Sequence, residues 1–392
     1  MSNHDKDFSF ETLSVHAGEK PDPITGAVAP ALIRTKTFKQ PQFGKEGVWQ
    51  YSRGKNPTRS ILEEKLAALE GGGDATVFSS GVAAEAMFFL TLNPGDHVLF
   101  CHEVYGGTFR LMEQLFKRWG IAFDFIEFKS FEHVSKYIRP TTKYFFVETP
   151  TNPSLHIVDL ALVKKISEKT RISFVVDGTF APPCSTQAFT YGAETVIHSL
   201  SKYIAGHNDV IAGAVITKNK ELHEKLKFMQ KTVGAILSPD ECYRVIQEAK
   251  TLTLRWKRVS KSAQKIALFL SRHAKIKRVL YPGLSSHPEH RVAKRQMKNG
   301  FGAVISFETK TSSLAKLKSC VEKVTENGLI VYGESLASPE TILAYPPLMS
   351  HKSLSKKDRL SLGISDSFFR FSVGFEDPDD LIRELERGLR RL

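Results

Sequence analysis

ISFVVDG, residues 172–178, runs through three consecutive large apolar residues, Phe174, Val175 and Val176, and stops at an acid followed by a glycine. An apolar run without polar alternation suits a strand buried on both faces. Similar runs flank it: DHVLFC (96–101), KYFFVET (143–149), TVIHSL (195–200) and AGAVIT (212–217). Amphipathic stretches separate them, and strands alternating with helices predict a mostly parallel α/β sheet. In such sheets ligands bind beyond the carboxyl ends of the strands. Asp177 therefore stands where a ligand would meet it.

Working outward, NPTRSILEEKLAALEGGG has apolar positions at helical spacing, with Pro57 near its start and glycines after its end. Residues 1–50 are irregular, rich in Pro, Gly and Thr, and read as an extended arm. A charge-laced helical stretch over about 240–275 precedes the strand-like pieces GAVISFET and FFRFSVGFE. The closing segment, DPDDLIRELERGLRRL, is a helix with Asp377 as its N-cap, Pro378 near N1 and arginines at its end. The expected organisation is an arm (1–50), a ligand-binding domain (51–245) and a smaller C-terminal α/β domain (246–392).

Composition sets the broad class. At 41% hydrophobic and 25% charged residues, the chain matches ordinary globular proteins. The longest apolar run, GVAAEAMFFLTL, is interrupted by Glu85 and is too short to cross a bilayer. The N-terminus has no apolar core of a signal peptide. These features predict a soluble, cytoplasmic protein with no membrane partner. The four cysteines, Cys101, Cys184, Cys242 and Cys320, are far apart, which argues against a disulfide framework or a zinc site. Residues 211–300 hold 20 Lys and Arg against 6 Asp and Glu, enough to account for the net charge of +13. That excess could mark a nucleic-acid footprint. The charges alternate with apolar residues at helical spacing, as in LTLRWKRVSKSAQKIALFL, so the segment reads as a solvated helix face and no nucleic-acid partner is expected.

The polar residues that follow the apolar runs supply the chemistry: Glu148 to Asn152, Asp177 to Thr179, and Ser199-Leu200-Ser201-Lys202. A lysine amine becomes a nucleophile when its surroundings lower its pKa. Serines 199 and 201 can donate to a phosphate. An acid ending a buried strand is expected to be held charged by a cation. Upstream, Ser79-Ser80-Gly81 precedes a helical run, an N-terminal anion site. Taken singly, each has a bland reading as an accident of sequence, a turn residue or a helix cap. Together, a lysine, a buried acid and a phosphate cradle describe binding of pyridoxal phosphate.

The motifs resemble the pyridoxal-phosphate enzymes of cysteine and methionine metabolism, the cystathionine γ-lyase, β-lyase and γ-synthase family. The resemblance begins at VHAGEKPDPITGAVAP and runs through YSRGKNPTRSILEEKLAALEGG, FSSGVAA, VYGGTFRL, ETPTNPSL, VVDGTFAPP and HSLSKYIAGHNDVIAG, then YPGLSSHPEH and FRFSVGFEDPDDLIREL. It implies the aspartate-aminotransferase-like fold (type I) of the pyridoxal-phosphate-dependent transferases. By position, Lys202 matches the lysine bonded to the cofactor, Asp177 the acid at the pyridine nitrogen and Tyr105 the tyrosine stacked on the ring. Ser199 and Ser201, with backbone amides at Gly81 and Val82, match the phosphate site. Tyr51 and Arg53 match residues that reach a neighbouring subunit's cofactor, which implies a homodimer with shared sites, paired into a homotetramer. Arg370, helped by Asn152 and Ser335, matches the clamp for the substrate α-carboxylate.

The sequence departs from the family pattern in places. The usual Asp-Asn-Thr-Phe reads Asp177-Gly178-Thr179-Phe180, which loosens a turn beside the pyridine nitrogen. The usual Glu-Ser-Leu-Gly-Gly reads Glu334-Ser335-Leu336-Ala337-Ser338, followed by Pro339, which stiffens a loop near the substrate. Members that act on cystathionine resemble this chain in carrying an acid at Glu334, placed for the substrate's distal ammonium. The expectation is a carbon–sulfur lyase of transsulfuration acting on a sulfur amino acid. The alternatives are a γ-synthase or sulfhydrylase and, from composition alone, a nucleic-acid-binding protein. β- and γ-cleavage are not separated by the sequence.

Overall fold

The computed structural model describes residues 8–350, 352 and 355–392. Seven strands form the first sheet: β1 (Asp74–Phe78), β2 (His97–Cys101), β3 (Ala122–Ile126), β4 (Thr142–Glu148), β5 (Ser173–Asp177), β6 (Thr195–Ser199) and β7 (Gly213–Thr217). Their order is β1-β7-β6-β5-β4-β2-β3, and only β7 runs antiparallel to its neighbours. The other six strands therefore deliver their carboxyl ends to one rim. Five of the seven lie on the unalternated apolar runs; β4, for instance, covers most of KYFFVET and is buried along its second half. The periodicity did not single out β1 or β3. AFDFI carries a charge at its centre and sits half-buried at the sheet edge, so burial on both faces left no signature there.

The core beneath the rim is aromatic. Phe89 packs against Phe100, Phe116 and Phe146 with ring centroids 5.5–5.7 Å apart. Phe89 ends the helix Gly81–Phe89, so this packing anchors the helix whose first turn faces the rim.

The second sheet contains β8 (Ile276–Leu280), β9 (Val304–Thr309), β10 (Ile330–Tyr332), β11 (Thr341–Ala344) and β12 (Phe368–Ser372), ordered β10-β11-β12-β9-β8. It is mixed, with β10 and β11 parallel and the rest antiparallel. The closing helix spans Pro378–Leu389, capped by Asp377. The first helix of the large region spans Pro57–Leu69, and the Asn56 side chain accepts from the backbone N–H groups of Thr58 and Arg59.

Two expectations about helices change. The stretch over 240–275 is two helices, Pro239–Ala249 and Leu252–Arg272, broken where Thr251 leaves helical geometry. Arg255 folds back across the break and donates to the carbonyls of Glu248, Tyr203 and Ile204, at 2.9, 2.7 and 2.9 Å. This ties the break to the turn that carries Lys202. The arm is not wholly irregular either: Phe10–His16 is helical behind a Ser9 cap, and the buried amine of Lys65 holds the carbonyl of Ser14. The long basic helix buries Trp256, Val259, Ala263, Ile266 and Leu270 on one face and leaves Lys257, Lys261 and Arg272 exposed on the other.

Candidate active site

Strand register brings the site together. Phe78 at the end of β1 and Ser199 at the end of β6 both pair with Gly213, the first residue of β7. The chain leaving β1 thus passes directly over Ser199 before entering the helix Gly81–Phe89. Ser80 caps this helix, its hydroxyl accepting from the N–H of Ala83 at 3.0 Å. A Cβ on residue 81 would lie 2.8 Å from the Cβ of Ser199, so only glycine permits this approach. The N–H groups of Gly81 and Val82 lie in the first turn, where helical amides lack intrahelical partners, beside the Ser199 hydroxyl. Ser201 also lines the cavity, but its hydroxyl is engaged. It accepts from Ala212 N at 2.9 Å and donates to Ala212 O at 3.2 Å.

The cavity they line has a volume of about 570 Å³ and also receives Tyr105, Asn152, Asp177, Lys202, Glu334, Ser335 and Arg370. The Lys202 amine donates to the Ser335 hydroxyl at 2.9 Å. Burial, and then the positive charge of Arg370, push the amine down to about 8. Glu334 pulls the other way. Arg370 lies on β12, paired with Ala344 and Ser306, and is 5% exposed. Its guanidinium donates to Asn152 Oδ1 at 2.9 Å and to the Ser335 carbonyl at 2.8 Å. Its Nε has no hydrogen-bond partner among the described residues, and no carboxylate pairs with it there. Burial lowers its pKa to about 10. A buried cation with an idle donor is a site for an anion.

Asp177 ends β5 opposite Glu148 on one side and Ile197 on the other. The cation expected beside it is not a direct partner: among the described residues Asp177 makes no ion pair, and its Oδ1 accepts from Thr179 N at 2.9 Å. Burial raises its pKa, while the Thr179 hydrogen bonds and the nearby His198 act in the opposite direction. The loosened turn at Gly178 is instead a packing requirement. A Cβ there would lie 2.7 Å from the ring of His198, whose Nε2 meets the buried Glu70 at 2.5 Å. Tyr105 stands at the start of the helix Gly106–Gln114, its N–H donating to Glu148 Oε2 at 2.6 Å. Its ring lies against Gly107 and is partly exposed to the cavity.

Tyr51 and Arg53 are not among the lining residues. The Arg53 guanidinium stacks 5.7 Å from the Tyr51 ring and donates to the carbonyl of Lys231. Both are exposed on the arm side of the chain. Thr179 also lines the cavity, its hydroxyl accepting from Ser199 N at 2.9 Å, and lining residues not singled out from the sequence include Phe180 and Glu85. Glu85 had left a signal, a lone acid inside the apolar run GVAAEAMFFL.

The family model for Cys/Met metabolism PLP-dependent enzymes matches residues 11–390. The chain belongs to this family. It is 41% identical to a cystathionine β-lyase of Coxiella burnetii, over 99% of this chain and all of that protein. It is 40% identical to a cystathionine γ-lyase of Bacillus subtilis, over 97% and 99%. It is also 40% identical to a cystathionine γ-synthase of Mycobacterium tuberculosis, over 96% of each. A solved structure of cystathionine γ-lyase from Lactobacillus plantarum, complexed with L-serine, superposes with a TM-score of 0.93 at 38% identity, covering 98% of this chain and 99% of that one.

This family member is an enzyme that depends on pyridoxal phosphate, and the residues present fit that group. A half-buried amine of lowered basicity, a helix start that a Cβ would obstruct, and a buried carboxylate without a cation open onto one cavity. Among the described residues no helix is long and apolar enough to cross a membrane.

Proposed function

We propose that the enzyme cleaves a carbon–sulfur bond of cystathionine, releasing cysteine or homocysteine, a 2-oxo acid and ammonia. One observation carries this reading. The cavity that holds Lys202 also presents a buried Arg370, without an ion-pair partner among the described residues, and an acid, Glu334, which suit an amino acid with a carboxylate and a second ammonium.

In this reading Lys202 would hold pyridoxal phosphate through its amine, with Asp177 at the pyridine nitrogen and Tyr105 over the ring. Ser199 and the N–H groups of Gly81 and Val82 hold the phosphate. Ser201 joins them by releasing its bond to the Ala212 carbonyl. Pyridoxal phosphate, when bound, supplies an electron sink that stabilises a carbanion at Cα and so permits a sulfur group to leave. Arg370 grips the α-carboxylate through its fork, with Asn152 and Ser335 fixing the guanidinium plane. With substrate bound, Lys202 would accept the α-proton at Nζ, and a lysine of basicity near 8 is suited to that exchange at neutral pH. The Tyr105 hydroxyl donates a proton to the departing thiolate. Cleavage at Cγ also requires Lys202 to move a β-proton.

Tyr51 and Arg53, which lie outside their own chain's cavity, complete the phosphate site of a second copy in a homodimer that pairs into a homotetramer. The four buried free cysteines suit the reducing cytoplasm.

Incubating the holoenzyme with L-cystathionine and identifying products by mass tests the activity. Cysteine with 2-oxobutyrate means γ-cleavage, and homocysteine with pyruvate means β-cleavage. Absence of both, with the cofactor's absorbance present, overturns the lyase reading. O-Acylhomoserine with cysteine is then the assay for a synthase.

A further inference from the structure

Glu85 is the fifth residue of the helix that begins at Gly81, so it faces the same side one turn deeper. It is 3% exposed and lines the cavity with Asp177 and Glu148. Among the described residues no basic side chain pairs with it. Its partner is the buried hydroxyl of Thr108, which lies 2.9 Å from each of its two oxygens.

That geometry bears on the proton count. A threonine hydroxyl has one hydrogen to donate. It can bond one carboxyl oxygen fully, and the second contact becomes a full hydrogen bond when the other oxygen carries a proton that the hydroxyl accepts. A carboxylic acid makes both contacts full hydrogen bonds, whereas a carboxylate leaves the single hydrogen shared between its two oxygens.

The surroundings favour the same state. Among the described residues, Asp177 on β5 and Glu148 on β4 are the titratable groups that face this end of the cavity; both are acids, and burial raises the pKa of each. Glu148 is held by the N–H groups of Tyr105 and Asn152, and His198 on β6 is already paired with Glu70. Burial, and then the charge of Asp177, raise the pKa of Glu85 well above the usual carboxylate range. Two carboxylates sharing a buried site do not both ionise readily.

We infer that Glu85 is a positioning residue that stays un-ionised at neutral pH, so that the negative charge at this end of the cavity is concentrated on Asp177, facing the cofactor's pyridine nitrogen. The inference rests on the assignment of Asp177 to that nitrogen. Glu85 then has a second effect: through Thr108 it ties the helix that offers Gly81 and Val82 to the helix that begins beside Tyr105.

Infrared difference spectra of the apoenzyme at neutral pH, wild type minus Glu85→Gln, test the protonation state without substrate or cofactor. The expected difference is loss of one un-ionised carboxyl C=O stretch, and Glu85→Met should give the same loss. A difference confined to carboxylate bands overturns the inference.

The linkage gives a second readout. An acid un-ionised when folded and ionised when unfolded makes stability fall as pH rises from the ordinary glutamate range toward its folded pKa. Wild-type apoenzyme should therefore lose stability with pH more steeply than Glu85→Gln, by about one proton per molecule. Equal slopes count against it.

In the holoenzyme, Glu85→Gln should leave the cofactor's absorbance at neutral pH as in the wild type, because an amide replaces an un-ionised acid beside Asp177. A spectrum shifted by that change overturns the role toward Asp177. These readouts are independent of the sulfur substrate, so failure to cleave cystathionine leaves them intact.

Discussion

At the Asp177 end of the cavity, the contributing residues sit at strand ends or in the first turns of helices. At the opposite end Glu334, Ser335 and Leu336 lie on the loop between β10 and β11, where Ser335 has φ +87° and Ala337 φ +63°. The first set inherits its positions from ladder hydrogen bonds, which fix each residue relative to two neighbouring strands. The loop takes its shape from side-chain contacts instead. Ala337 N donates to the Ser372 hydroxyl at 3.0 Å, the Ser338 hydroxyl bonds the Glu340 carbonyl at 2.8 Å, and Arg370 holds the Ser335 carbonyl. Left-handed backbone at non-glycine residues persists only where surrounding contacts enforce it. In the proposed reading the chemistry rests on the sheet, and substrate preference on a loop that a few substitutions can reshape.

The largest expected effect is at the sheet end. Lys202→Ala should abolish the absorbance of covalently held cofactor and lower turnover by about 10²–10⁴-fold or more. Steady-state kinetics with absorption spectra check this, and retained turnover would break the division just drawn.

Arg370 bridges the two ends. Arg370→Ala leaves Asn152 and the Ser335 carbonyl without their donor and should lower kcat/KM by about ten- to hundredfold, or about 1.4–2.7 kcal/mol. Arg370→Lys should recover only part, because an ammonium lacks the planar fork. Full recovery with lysine would mean that charge alone is read.

A pH measurement sharpens the comparison further. Capture of pyridoxal phosphate by the apoenzyme requires a neutral Lys202 amine, so its rate should rise with pH and level off above a midpoint near about 8. Removing the charge of Arg370 should move that midpoint up, and Glu334→Gln should move it down. Stopped-flow absorbance reads the midpoint, and a value near that of an ordinary lysine would mean that burial does not govern the amine.

The smallest effect belongs to the loop. Ala337→Gly should raise stability by up to about 1 kcal/mol, since glycine adopts a positive φ without a Cβ penalty, partly offset by its greater freedom when unfolded. A melting temperature lowered by the change would show that the methyl group's packing outweighs the strain.

Much of this was legible before any coordinates. Five unalternated runs became buried strands, Asp377 became a helix cap, and the residues assigned to the site line one cavity, except for the two assigned to a neighbouring copy. What escaped was context of a different kind. β3 is half-buried at an edge, the break at Thr251 depends on Arg255 reaching back to Glu248, and Gly178 answers to the ring of His198 rather than to its own turn.

Local pattern by itself determined the alternation of strands and helices, and hence the rim where Lys202, Asp177 and Ser199 stand, because apolar periodicity and capping act within a few residues of chain. Only the tertiary structure decided that Ser201 is engaged by Ala212 and that, among the described residues, Arg370 is buried with an idle Nε and Glu85 faces the cavity without a cation. Those states follow from desolvation and from partners distant in sequence, and neither is written in the spacing of residues.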